Sequence, residues 1–267
     1  MRLSFWTLGT PGWSNEQVVD AAKRFGYNGV DLRCTKGGNI SLDSTDDEVE
    51  SLKRLFDDAD VKISSLLAYN ARRGEEGVDW DAVTGDLIAN ARLARRLGTT
   101  NMRINAGRPS SSSTWEAYLE GLAVASKATL EAVDDIALLV QNHPGSISGA
   151  QAGELAEMVD DQRFGVGFSP DHCVDMGEDP VEIARYIAVW VGQIHIADRT
   201  RSDENGKMHA CLPGTGMVEL RRTLEVLAGE GFDCWLSFKW EKPTYPDLPD
   251  AEIALPEFVG FIQRISD

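Results

Sequence analysis

Residues 136–180 read IALLVQNHPGSISGAQAGELAEMVDDQRFGVGFSPDHCVDMGEDP, and their order decides the fold. A short apolar run, Ile136–Gln141, ends at a Pro-Gly turn. The helical pattern AQAGELAEMV follows, and a second apolar run, Phe164–Phe168, closes the unit. A strand, a helix and a strand in that order form a crossover that leaves the two strands parallel.

The same alternation extends to both ends of the chain. Further apolar runs lie at Leu3–Leu8, Gly29–Arg33, Lys62–Leu67, Asn101–Ile104, Val191–Ile196 and Cys234–Lys239, giving eight predicted strands with the two above. Between and after them come EQVVDAAKRFG, DDEVESLKRLFDDA, WDAVTGDLIANARLARRLG, TWEAYLEGLAVASKATLEAV, AQAGELAEMV, VEIARYIAVW, LRRTLEVLAGEG and AEIALPEFVGFIQRI, eight helical patterns. Ser14 with Gln17, Thr45 with Glu48, Ser113 with Glu116 and Ser148 with Gln151 have the spacing of a capping box at helix starts. Gly26, Gly98 and Gly231 follow the last periodic residues, where a left-handed residue ends a helix.

Eight βα units without a break in composition predict α/β class and a single (β/α)8 TIM barrel covering residues 1–267. An open doubly wound sheet would carry a Gly-rich phosphate fingerprint after its first strand, and here that position reads TLGTPGWS. Two connections exceed what a barrel needs. Cys34–Ser44 and Asp198–Gly216 both follow strand C-termini, the end where barrel sites are built, and the second, rich in Arg, Asp, Lys, Gly and Pro, is expected to be a mobile rim loop or else an ordinary surface insertion.

Composition narrows the partners. With 26 Lys+Arg against 43 Asp+Glu the formal charge is −17, and no basic run longer than two occurs, which speaks against nucleic acid and anionic membrane surfaces. No stretch approaches the ~20 apolar residues of a membrane span or the apolar core of a signal peptide. The four cysteines, Cys34, Cys173, Cys211 and Cys234, are far apart and form no CxxC pair. A cytoplasmic protein is expected.

The strand ends are where a barrel keeps its chemistry. There the chain places Arg33, Tyr69, Arg103, Gln141-Asn142-His143, Ser169 with Asp171-His172, His195 with Asp198-Arg199, and Lys239 with Glu241. Three of the four histidines fall in this set.

Four phrases carry a family resemblance: FWTLGTPGWSNEQVVDAAKRFGYNGVDLR, QNHPGSISGAQAGELAEMVDDQRFGVGFSPDHCVDMGEDP, IHIADRT and LPGTGMVELRRTLEVLAGEGFDCWLSFKWEK. In that order along the whole chain they resemble the xylose isomerase-like TIM-barrel family of sugar phosphate isomerases and epimerases. The resemblance implies a divalent metal, Mn, Mg, Co or Zn, held by Glu on strand five, Asp on strand six, His on strand seven and Glu on strand eight. Such a set polarises a substrate carbonyl while a neighbouring group moves the proton alpha to it.

This chain departs from that pattern at each anionic position. Gln141 stands for the first Glu, Ser169 for the Asp and Lys239 for the second Glu, so only His195 matches a ligand of the family. A protonated Lys239 near the metal position would repel a second cation strongly at low effective dielectric. No cofactor is therefore expected, and any divalent metal would sit weakly near His195.

Roles stay open at several residues. Lys239 is an electrostatic stand-in for the metal, a Schiff-base amine, or half of a salt bridge to Glu241 or Asp198. His172 matches a substrate-binding His in some epimerases of the family, and Asp171 is either an acid/base or a turn cap. His143 and Asn142 match pocket-lining residues. Arg33, Arg103 and Arg199 are candidates for a phosphate or carboxylate, or else partners of Asp31 or Asp198. Trp6, Trp13, Tyr69 and Trp240 either stack on a sugar or pack, and Cys173 lacks an evident activator.

The expected catalytic set is thus His172, Lys239, Asp171 and His195, with Gln141, His143, Arg33, Arg103, Arg199, Ser169 and Glu241 binding substrate. The expected function is an isomerase or epimerase acting on a small carbohydrate without the family's metal. The alternative is a non-catalytic carbohydrate-binding or subunit protein derived from one. An abasic-site endonuclease, which shares the barrel, needs many more His and carboxylate ligands and a basic face. A homodimer is expected only by analogy with the family.

Overall fold

A computed structural model describes residues 1–69, 77–201 and 208–266. Eight parallel strands close into a barrel: β1 (Arg2–Trp6), β2 (Gly29–Cys34), β3 (Lys62–Ala68), β4 (Asn101–Asn105), β5 (Ala137–Gln141), β6 (Phe164–Phe168), β7 (Val191–Ile196) and β10 (Trp235–Phe238). The last strand returns to the first, with Ser4 opposite Ser237, and also lies beside β7, with Ser237 opposite His195. Every predicted strand is present, with most ends within one or two residues of the expected ones. The largest change is at the first strand, which stops at Trp6, where Thr7–Gly9 turns into a short 3-10 helix.

Helices α1 (Asn15–Phe25), α2 (Asp46–Asp58), α3 (Trp80–Arg96), α4 (Trp115–Ala132), α5 (Gly149–Val159), α7 (Pro180–Ile187), α8 (Leu220–Gly229) and α9 (Ala251–Ser266) answer to the eight helical patterns. A ninth, α6 (Pro170–Met176), occupies PDHCVDM, which carries Pro at its first position where the missing N–H costs nothing. Periodicity does not reveal it, because it is under two turns of apolar and charged residues mixed.

Three of the four predicted capping boxes form, at Ser14, Thr45 and Ser148. The fourth is displaced: Thr114, not Ser113, caps α4 by accepting from Ala117 N at 3.2 Å, which leaves Glu116 one position short of the box. Gly26, Gly98 and Gly231 all take positive φ, between 81° and 83°, at the ends of α1, α3 and α8.

Within the segment expected to be a mobile rim loop, β8 (Asp198–Arg201) and β9 (Met208–Cys211) pair as an antiparallel hairpin; its residues 202–207 lie outside the described residues. Asp198 anchors the chain beyond the hairpin, because its carboxylate accepts from the backbone N–H of Gly214, Gly216 and Val218 at 2.9–3.1 Å.

Period-two alternation sorts each strand. Phe5, Met102, Ile104, Leu138, Val140, Ile194, Ile196, Leu236 and Phe238 face the helices in the apolar core. Their neighbours in sequence face the barrel axis, where Ser4, Gln193, Ser237 and other polar groups sit among Leu139 and Trp235. Deep in the barrel, Asp31 accepts from Ser4 Oγ at 2.7 Å, from Ser237 Oγ and from Gln193 Nε2 at 2.5 Å. Burial, only partly offset by these donors, raises its pKa to about 6. Two residues further along the same strands come Trp6, His195 and Lys239, at the mouth.

Candidate active site at the barrel mouth

Three groups of residues meet where the strands run out. Asn142, just past β5, is bound twice to Ser169: its Nδ2 donates to Ser169 O at 2.9 Å and its Oδ1 accepts from Ser169 N at 2.8 Å. That clamp fixes the start of α6 and hence the two residues it carries inward, Asp171 and His172, which are buried. Asp175, one turn later, joins them.

Lys239 is almost fully buried at 1% exposure. Its Nζ donates to Asp171 Oδ2 at 2.8 Å and to His172 Nε2 at 2.6 Å. His172 Nδ1 lies 2.8 Å from the carbonyl of Asn142, so Nδ1 carries the proton and Nε2 is left as an acceptor for the ammonium. Burial, together with the charge of Lys239, pushes the His172 imidazole well below its ordinary pKa, and the ring is neutral.

Arg199 on β8 binds the same carboxylate from the other side, Nη2 to Asp171 Oδ2 at 2.7 Å, and reaches Asp175 at 3.3 Å and Glu241 at 3.1 Å. Burial alone would raise Asp171, but Lys239 and Arg199 outweigh it and hold the carboxyl well below the usual range. Burial likewise lowers Lys239, against the pull of Asp171 and Glu241. Asp175 goes the other way and is raised, mainly by desolvation. Lys239 therefore pairs with Asp171, not with Glu241 or Asp198, and Arg199 pairs with neither Asp31 nor Asp198. The hairpin places the Arg199 guanidinium over α6, while Asp198 is turned to its own loop.

On the neighbouring strands, Gln141 Nε2 donates to Ser169 Oγ at 2.8 Å, and Ser169 Oγ lies 3.5 Å from His195 Nδ1. His195 sits edge-on to Trp6, ring centroids 4.8 Å apart. Gly167 lets it do so, since a Cβ there would come within 2.7 Å of His195 Cε1. Burial, with Arg103 and Lys239 nearby, lowers the His195 pKa well below its ordinary value, and its Nε2 is buried without a partner, as is Gln141 Oε1.

The remaining predicted residues are spread around this centre. His143 packs edge-on to His172 at 4.6 Å. Arg103 is buried between the rings of Trp6 and Tyr69. Arg33, by contrast, is half-buried and lines a separate cleft of about 410 Å³ with Thr7, Trp13 and Asn39. Trp240 packs on Phe238 and donates to Pro249 O, and burial raises the Cys173 thiol far above its ordinary pKa. Asp175 is absent from the residues expected from sequence; its only signal is the four-residue spacing from Asp171 on a helix too short to read.

The four positions named by the resemblance do not fit a dication. Gln141, Ser169 and His195 are hydrogen-bonded to one another as neutral groups, and the fourth position supplies an ammonium. The ligand atoms of Asp171, His172 and Asp175 do lie within 4.8 Å of one another, a spacing that would suit a metal ion. Lys239 Nζ and Arg199 already lie against them, and two cations at hydrogen-bond distance take the coordination that a third would need.

Comparison with known proteins agrees with this architecture. Residues 19–259 match the family model described as xylose isomerase-like TIM barrel. An inosose dehydratase of Lacticaseibacillus casei is 26% identical over 106 residues, a match spanning 35% of this chain and 36% of that protein, about a third of its length. Among solved structures, a D-tagatose 3-epimerase-like protein superposes with a TM-score of 0.72 at 15% identity, covering 100% of this chain and 98% of the other. The IOLI protein, solved with a zinc atom, gives 0.75 at 16% identity, covering 100% and 96%.

Proposed function

Because this chain belongs to the xylose isomerase-like TIM-barrel family, we propose that it binds a small polyhydroxylated carbonyl compound at the barrel mouth and moves the proton alpha to that carbonyl, as an isomerase or epimerase does, using its own side chains in place of a metal. The observation that carries this is the buried Lys239 ammonium, fixed by Asp171 and His172 at the position where the family keeps a metal-binding Glu. An ammonium has three protons, and two are directed to those partners. The third is free to donate to a substrate carbonyl oxygen and to stabilise the negative charge that develops there.

His195 supplies the complementary function. Its neutral ring, braced by Trp6 and Ser169, presents an unpartnered Nε2 that accepts the alpha proton. Return of the proton from His195 to the former carbonyl carbon, as the neighbouring hydroxyl loses its own proton and becomes the new carbonyl, gives an isomer, whereas an epimer requires a second donor, such as a water, to deliver a proton to the opposite face of the alpha carbon. Loss of a β-hydroxyl from the same intermediate would be a dehydration, the reaction in the name of the inosose dehydratase relative. Asp171 is a positioning residue, since a carboxylate held this low by two cations is a poor base.

The test is alpha C–H exchange. Keto-sugars and inososes are incubated with the protein in D2O containing EDTA and followed by proton NMR. Exchange that survives EDTA and disappears in Lys239→Met and His195→Asn supports the proposal, whereas exchange abolished by EDTA and restored by Mn overturns it. A borohydride trap decides the Schiff-base role of Lys239 separately.

One observation favours a second reading. Arg199 ties Asp171, Asp175 and Glu241 together, so the charged groups on that side of the mouth satisfy one another. A binding protein without turnover would keep such a cluster as structure, and would show ligand affinity with no exchange.

A further inference from the structure

Arg103 is 2% exposed, and among the described residues no carboxylate lies within ion-pair distance of it. Its Nη1 donates to a backbone carbonyl, Ala68 O at 3.1 Å, its guanidinium lies over the rings of Trp6 at 5.1 Å and Tyr69 at 4.8 Å, and its Nε is buried without a partner. Trp6 Nε1, a second buried donor, also lacks one. Buried guanidinium groups are normally matched by an anion, because desolvating an uncompensated charge is costly.

The two carboxylates that attract Arg103 from a distance, Asp31 and Glu241, make their direct contacts elsewhere. Asp31 is held by Ser4, Ser237 and Gln193, and Glu241 is bound to Arg199. Position in the barrel adds direction. In the closed order β1-β10-β7-β6-β5-β4-β3-β2, the strand carrying Arg103, β4, is diametrically opposite β10, which leads into Lys239. Arg103 reaches across the axis to Trp6 on β1, so the mouth has an ion-paired cation on one side and, on the other, a cation bonded to the Tyr69 side chain that Asp31 and Glu241 attract only from beyond ion-pair distance. The π faces of Trp6 and Tyr69 favour a cation but do not neutralise it.

We propose that Arg103 receives an oxyanion of the substrate, so that the carbonyl compound handled at Lys239 is an acidic sugar and not a neutral one. This rests on the proposed function for its carbonyl end only. A planar guanidinium suits a carboxylate and a phosphate ester equally, and the two are separated by experiment.

The whole protein is titrated calorimetrically with matched compounds: glucuronate against glucose, gluconate against glucitol, and glucose 6-phosphate, with inorganic phosphate alone as a further arm. The acidic members are expected to bind at least about tenfold more tightly than their neutral counterparts, with affinity falling as NaCl rises. Whichever of the carboxylate and phosphate arms binds identifies the oxyanion. Arg103→Met abolishes the preference, and Arg103→Lys, the fallback if the first fails to fold, keeps the charge but weakens it. Equal binding of neutral partners, a preference that survives Arg103→Met, or no binding of any acidic member at millimolar concentration overturns the proposal. Gluconate has no carbonyl, so its binding supports Arg103 even if no compound undergoes exchange. Exchange on neutral keto-sugars without acid preference would sink this inference and leave the proton-transfer reading standing.

Discussion

Lys239 Nζ lies 2.6 Å from His172 Nε2, and the proton in that contact belongs to the lysine, because the other nitrogen of His172 donates to Asn142 O. An ammonium is thus held by one anion and one neutral ring, buried at the mouth of a barrel. Lys239→Met should leave Asp171 still paired with Arg199 and destabilise the protein by about 1.5–3 kcal/mol, the usual cost of losing a hydrogen bond to a charged group. Urea midpoints with an unchanged m-value would measure it; a loss below about 1 kcal/mol would mean that the pair is solvated.

Metal binding should be restorable. Gln141→Glu, Ser169→Asp and Lys239→Glu together remove the ammonium and supply three carboxylates around His195. The triple variant is expected to hold Mn or Zn in one-to-one ratio after dialysis, read by elemental analysis, with wild type retaining far less. A folded triple variant that stays metal-free would show that these four positions do not converge.

Two buried aspartates should titrate in opposite directions. Asp171 is depressed, so its contribution is complete above its unfolded pKa of about 4 and is lost as pH falls below that. Asp31 is raised from 3.8 to about 6, so the folded protein binds more protons than the unfolded chain between those values and stability falls as pH rises through them. Two pK units correspond to roughly 3 kcal/mol. Asp31→Asn, which mimics the protonated carboxyl, should therefore gain up to about that much relative to wild type between pH 4 and pH 7. Parallel stability curves for the two proteins would show that Asp31 is not perturbed.

Gly167→Ala should act on His195 alone. The added methyl meets the imidazole at 2.7 Å, and the ring cannot retreat because Trp6 packs against it. A loss of about 1–3 kcal/mol is expected, typical of overpacking, together with a shifted His195 ring signal in NMR and reduced alpha exchange. An unmoved His195 signal would contradict the packing.

At α4 the cap is Thr114. Thr114→Ala should cost about 1 kcal/mol and Ser113→Ala close to nothing, measured as thermal midpoints. The reverse order would restore the assignment that spacing alone suggests.

Those two neighbouring residues illustrate what the chain discloses before it is folded. Strand positions and the barrel are legible because alternation of apolar runs is set locally, and Ser14, Thr45 and Ser148 cap as their spacing requires. The mouth is legible in composition, since strand ends are polar where a core would be apolar. Pairing is not. Asp171 finds Lys239 across 68 positions of sequence, and Arg199 reaches α6 only because Asp198–Cys211 folds into a hairpin. The orphaned donors of Arg103 and Trp6 are properties of surroundings, which no motif records.

Helix α6 has seven residues, and Asp171 and Asp175 share a face only through its phase. One residue inserted between them would turn the second carboxylate by about 100° and take Asp175 off Arg199, leaving that guanidinium to Asp171 and Glu241. Substitutions at single positions leave that phase intact. The constraint on this segment therefore falls on its length as well as its charged letters, so relatives sharing the Lys239 arrangement should keep the distance from Ser169 to Gly177 fixed even where the residues other than Asp171, His172 and Asp175 have changed.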